Sequence, residues 1–87
     1  MTKRTSTLPK RIGRAMKARR KNVLAISQEA FAELAGTHRV NYSSIERGMK
    51  RIRIDTLEKF SLALKARPWE ILKDADEMLP SRKKASA

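Results

Sequence analysis

Between Arg39 and Ser44 the chain carries a guanidinium, a carboxamide and two hydroxyls, with Val40 and Tyr42 interleaved. Such side chains hold polar edges and anionic oxygens by hydrogen bonding and activate nothing. The one histidine, His38, has neither a cysteine nor a serine-base arrangement beside it, and the nine carboxylates fall at helix-surface spacing. The sequence predicts no enzyme, no cofactor and no metal site. With no cysteine, disulfides and thiolate sites are excluded, and a reducing cytoplasm is compatible.

The elements that must position these groups are two short helices. Ser27 is a good N-cap, because its hydroxyl accepts from a free backbone N–H, and Glu29 puts negative charge in the first turn. Phe31, Leu34 and Ala35 recur at helical spacing, and the run stops at Gly36, the residue most easily placed in the left-handed conformation that ends a helix. Thr37 is the next cap candidate. From His38 onward the apolar positions thin to Val40, Tyr42 and Ile45, leaving a narrow face to pack while Arg39, Asn41, Ser43 and Ser44 are free to point outward. Two helices joined by a tight turn containing Gly form a helix-turn-helix, and its second helix is a probe for DNA. An ordinary helical hairpin would need only the apolar spacing.

The rest of the chain supports one small all-α domain. Residues 1–7 read as a flexible basic arm. Pro9 suits a helix start, and Leu8, Ile12, Ala15, Met16 and Arg19 mark one face of a first helix reaching about Asn22. Gly13 inside it suggests a close helix contact. Val23 to Ile26 form an apolar connector, and a basic loop runs from Gly48 to Arg53. Asp55 and Thr56 are cap candidates for a helix bearing Leu57, Phe60 and Leu64, with Glu58 three residues past Asp55 in capping-box fashion. Pro68 opens a last helix with Trp69, Ile71 and Leu72. The domain should span residues 8–79, and residues 80–87 read as a basic disordered tail.

Charge adds direction. The net charge is +12, and residues 1–28 hold nine Lys or Arg and no acid. Residues 55–79 hold four basic against six acidic residues. A merely solvated surface would mix the signs, so one end should face a polyanion. Nucleic acid fits better than a membrane, because no apolar run approaches the roughly 20 residues of a spanning helix and the first helix lacks a broad apolar face.

Ser27-Gln28-Glu29, Phe31-Ala32, Gly36 and Ile45-Glu46-Arg47-Gly48 together resemble the phage-repressor, Cro-like (xenobiotic-response-element) helix-turn-helix family. Arg39 to Arg51 also looks like the controller proteins of restriction-modification systems. The resemblance covers about Ile12 to Leu72 and implies a compact five-helix, lambda-repressor-like domain. It implies that Gln28 bonds a phosphate at a helix N-terminus. It places His38, Arg39, Val40 and Ser44 at base-facing positions, with Asn41 and Ser43 nearer the border and on the backbone. Arg39 is the foremost candidate, since a guanidinium pairs bidentately with guanine for about 1 to 3 kcal/mol of discrimination. Val40 meets a thymine methyl or packs, and His38 reads a base, caps or touches phosphate. Arg47, Lys50, Arg51 and Arg53 resemble the loop that grips the backbone. In the family an acid at the place of Glu46 pairs with a first-helix arginine, which points to Arg19 here. Two features depart from the pattern. The connector before Ser27 is about two residues longer than usual, with Val23-Leu24-Ala25 where Gly is common, and Tyr42 stands where Ile or Val is usual.

One recognition helix reads only a few base pairs, so a symmetric homodimer is expected. Leu57, Leu62, Trp69, Ile71, Met78 and Leu79 are the candidate dimer surface. The expected function is a sequence-specific transcriptional regulator on a pseudo-palindromic operator, autoregulatory, without a small-molecule ligand, and with RNA polymerase as a possible further partner. The alternatives are an antitoxin-type protein binding a toxin and its own promoter, or a non-specific nucleoid-associated binder.

Overall fold

Phe31, Tyr42 and Phe60, from three different helices, meet in the centre of the domain, with ring centroids 4.6, 5.6 and 6.0 Å apart. Tilted and edge-on contacts of this kind add about 0.5 to 1.5 kcal/mol each beyond the area they bury. The computed structural model describes residues 6–79. The arm expected over residues 1–7 lies outside them as far as residue 5, and so does the tail expected over residues 80–87. Five α-helices follow one another: α1 (Leu8–Arg19), α2 (Gln28–Ala35), α3 (Arg39–Glu46), α4 (Ile54–Ala63) and α5 (Pro68–Glu77), with a π-helical turn, Arg20–Leu24, continuing α1. Among the described residues there is no strand, and no helix is long and apolar enough to cross a membrane.

Local chemistry accounts for the boundaries. The Ser27 hydroxyl accepts from Ala30 N–H at 3.0 Å and starts α2. Gly36, at φ 73°, ends it, with the Thr37 N–H returning to the Ala32 carbonyl at 2.9 Å. Pro68 opens α5, where Glu70 Oε1 accepts from Arg67 N–H at 2.8 Å. Two cap expectations fail. His38, not Thr37, is the N-cap of α3, and Thr37 Oγ1 instead accepts from Asn41 Nδ2. Helix α4 begins at Ile54 behind Arg53, so Asp55 is inside its first turn and cannot form a box with Glu58.

The connector before α2 is long because it is wound. Its five-residue π turn closes on Ala25 at φ 56°, a left-handed residue at the place where Gly is common.

Helix α1 packs chiefly on α5 and α3. Ile12, Ala15, Met16, Phe31, Ala32, Tyr42, Ile45, Leu57, Phe60, Leu64, Ile71 and Ala75 form the core. Leu57 and Ile71 are therefore sealed inside one chain and cannot serve a dimer surface, because the α4 and α5 stripes that carry them are used for the chain's own core. Leu34 is exposed, since Phe31, Ala32 and Ala35 take the inward face of α2.

Candidate nucleic-acid interface

Helix α3 turns only Tyr42, Ile45 and Glu46 fully inward. Arg39, Ser43 and Arg47 follow one line along it at four-residue steps, and Val40 and Ser44 the next line. Arg39, Val40 and Arg47 are exposed and the two serines half-buried. Val40, 66 % exposed, does not pack. His38 is exposed, and its side chain makes no capping bond. Asn41 is held between Thr37 and Lys50, whose Nζ donates to Asn41 Oδ1 at 2.6 Å. In the following loop Lys50 and Arg51 are exposed, and Arg53 forms an open ion pair with Asp55 at 3.3 Å.

The inner side of α3 is anchored by charge. Arg20 Nε donates to Glu46 Oε2 at 2.7 Å and Arg20 Nη2 to Glu46 Oε1 at 3.2 Å, a two-pronged bond between side chains only 7 % and 2 % exposed. Gln28 Nε2 donates to the same Oε1 at 2.7 Å, and Arg20 Nη1 holds the Ile26 carbonyl at 2.7 Å. One guanidinium thus ties α1, the connector and α3 together. Arg19, the expected partner of Glu46, instead bonds Asp74 of α5 at 2.8 Å. Arg20 lies two turns beyond Gly13, on the line of α1 that meets α3, whereas Arg19 continues the line of Arg11 and Ala15 toward α5.

Burial, the largest single influence, pushes the Glu46 carboxyl up. The bonds from Arg20 and Gln28, with the Tyr42 hydroxyl nearby, outweigh it and hold the carboxyl below its ordinary range. The Tyr42 ring fills the core, and its hydroxyl is buried without a bond partner of good geometry. Burial and the neighbouring Glu46 charge push this phenol up, so it stays neutral.

A groove runs between α1 and α3. Lys10, Arg14 and Lys17 line one wall, Arg39, Ser43 and Arg47 the other, with Gln28 and Glu46 also lining it. The two helices touch at glycines. A Cβ at Gly13 would collide with the carbonyl oxygens of Ile45 and Glu46, and one at Gly48 with the Lys10 side chain and Cα. The three α1 cations are not among the sequence-predicted site residues. Their spacing, positions 10, 14 and 17 on one helix line, is the signal that could have singled them out.

A two-helix unit with a polar second helix beside a cationic groove defines a DNA-binding regulator of the helix-turn-helix class. Comparison with known proteins agrees: the family described as helix-turn-helix matches residues 16–72, and the chain belongs to this family, in its Cro-like form. The control protein C.MunI from Mycoplasma sp is 36 % identical over 67 residues, covering 77 % of this chain and 90 % of that protein. Two crystal structures of the clp gene regulator ClgR from Corynebacterium glutamicum share the fold. One matches at TM-score 0.78 with 23 % identity, over 86 % of this chain and 96 % of that one. The other matches at 0.79 with 22 % identity, over 91 % and 83 %.

Proposed function

We propose that the protein is a sequence-specific transcriptional regulator that acts in the cytoplasm as a homodimer, reads a pseudo-palindromic operator and controls its own expression. The observation that carries this reading is the outer face of α3. Arg39 and Val40 are exposed there and Ser43 and Ser44 half-buried, and Arg39 and Ser43 line a groove with Lys10, Arg14 and Lys17. Arg39 reads guanine, Val40 and Ser44 contact neighbouring base edges together with His38, and Gln28, Arg47, Lys50, Arg51 and Arg53 hold phosphates, with Asn41 and Ser43 at the border. Likeness to a control protein supports the assignment to a controller-type regulator.

Self-association is supported by the far end of the domain, where Leu62 is 57 % and Trp69 60 % exposed. Met78 and Leu79, just past the end of α5, are half-buried. Two-fold pairing there would set two α3 helices about 34 Å apart, one DNA turn. Regulation then follows concentration, because dimerisation and DNA binding stabilise one another.

Selection of bound sites from random duplex DNA tests the reading. The expected result is an inverted repeat with half-sites about one turn apart, and with Arg39→Ala a relaxed preference at one position of each half-site. A single unsymmetrical site, or equal binding of every sequence, would overturn it.

A further inference from the structure

Helix α1 holds three cations that its own fold does not use. Arg11 Nη1 donates to the Ala75 carbonyl at 2.9 Å, Arg19 is bonded to Asp74, and Arg20 is buried on Glu46. Lys10, Arg14 and Lys17 instead stand exposed on one line and face the groove. Across it stand Arg39 and, at the end of α3, Arg47, while the Glu46 carboxylate that also lines the groove is taken up by Arg20 and Gln28, so the channel carries five cationic side chains. Such a cluster of like charges attracts a polyanion.

We infer that this channel seats the sugar-phosphate backbone of one DNA strand, and that Lys10, Arg14 and Lys17 are phosphate-binding residues. The dimensions suit that occupant. From Lys10 to Lys17 the helix rises about 10 Å at its usual 1.5 Å per residue, which matches about three phosphate-to-phosphate steps of axial rise along one strand at about 3.4 Å each. Gly13 and Gly48 give the channel its narrowness, since any side chain at either place would force α1 away from the end of α3. A strand lying there is held from the α1 side while α3 enters the major groove beside it. The inference rests on the DNA-binding reading, and it adds a second wall of contacts to the loop after α3.

The test is the salt dependence of duplex binding by the full chain. Affinities for a random-sequence 30-bp duplex and for a duplex enriched by selection are measured across a fourfold rise in potassium chloride. The wild type is compared with the Lys10→Gln, Arg14→Gln, Lys17→Gln triple variant and with a charge-matched control, Lys59→Gln, Lys65→Gln, Lys73→Gln. Each lost phosphate contact lowers the slope of log affinity against log salt by about 0.9, so the triple variant should lose about 2.7. Over that salt range the wild type should therefore lose about 40-fold more affinity than the variant. Preference for the enriched duplex should stay the same, because phosphate contacts carry no base information. Should the triple variant fold poorly by circular dichroism, Arg14→Gln alone should lower the slope by about 0.9. An unchanged slope, or an equal fall in the control, overturns the inference while leaving the DNA-binding reading intact. Failure of the wild type to bind either duplex overturns that reading itself.

Discussion

Helix α1 is gripped on two sides, and the two grips differ in kind. Toward α3 it touches backbone to backbone at Gly13, and Arg20, the first residue of the π turn that continues it, bonds buried Glu46, which Gln28 also holds. Toward α5 it buries Ile12 and Ala15 in a core shared with Ile71 and Ala75, and its polar bonds, Arg11 to the Ala75 carbonyl and Arg19 to Asp74, lie only partly buried. Apolar burial is strong but tolerates small slips, whereas a two-pronged ion pair and a glycine contact fix distance and angle. The directional grip falls on α3, the helix proposed to read bases.

The sharpest way to break the contrast is Glu46→Ala. It strands the Arg20 charge in a buried site and should cost about 3 to 5 kcal/mol, enough to remove most of the stability of a small domain, as thermal unfolding would register. Acid should do the same by titration. Because folding holds the Glu46 carboxyl below its ordinary value of 4.5, the stabilisation is complete above that pH and is lost as pH falls through the lower, folded value. A pH series of melting temperatures should fall below about 4.5 in the wild type, and Glu46→Gln should remove part of that fall.

Gly13→Ala follows in size. Alanine favours a helix over glycine by about 1 kcal/mol, yet the added methyl meets α3 carbonyls, so a net loss of about 1 to 3 kcal/mol is expected, as in overpacked cores. Denaturant unfolding checks the sign, and a gain in stability would mean that the contact yields. The smallest effect belongs to the α5 side. Arg19→Ala removes a pair whose side chains are 24 % and 31 % exposed, and solvent screening limits the loss to about 1 kcal/mol or less. If Arg19→Ala cost as much as Glu46→Ala, the two grips would be of one kind.

The helix-turn-helix was legible because its signals are local. Ser27 caps, Gly36 turns and the thinning of apolar residues after His38 need no knowledge of distant parts. The partner of Glu46 was less legible. A one-residue change from Arg19 to Arg20 moves a side chain about 100° around a helix, and which face meets α3 depends on how α1 crosses it. The π turn that lengthens the connector leaves no mark in composition, and the left-handed conformation of Ala25 carries no glycine to signal it. Leu57 and Ile71 looked like spare apolar surface until the packing of α4 and α5 placed them inward. Lys10, Arg14 and Lys17 were counted as charge, and only the crossing of α1 over α3 gave that charge a place.

The chain's one tryptophan, Trp69, stands 60 % exposed at the start of α5 and is not part of the groove. Its fluorescence is therefore a built-in reporter of the α5 end alone. Covering the indole by a second subunit would shift its emission to shorter wavelength, whereas a strand lying against α1 and α3 would leave the colour unchanged. One optical channel can thus follow assembly without labelling, while DNA occupancy is read independently from the anisotropy of a dye on the duplex.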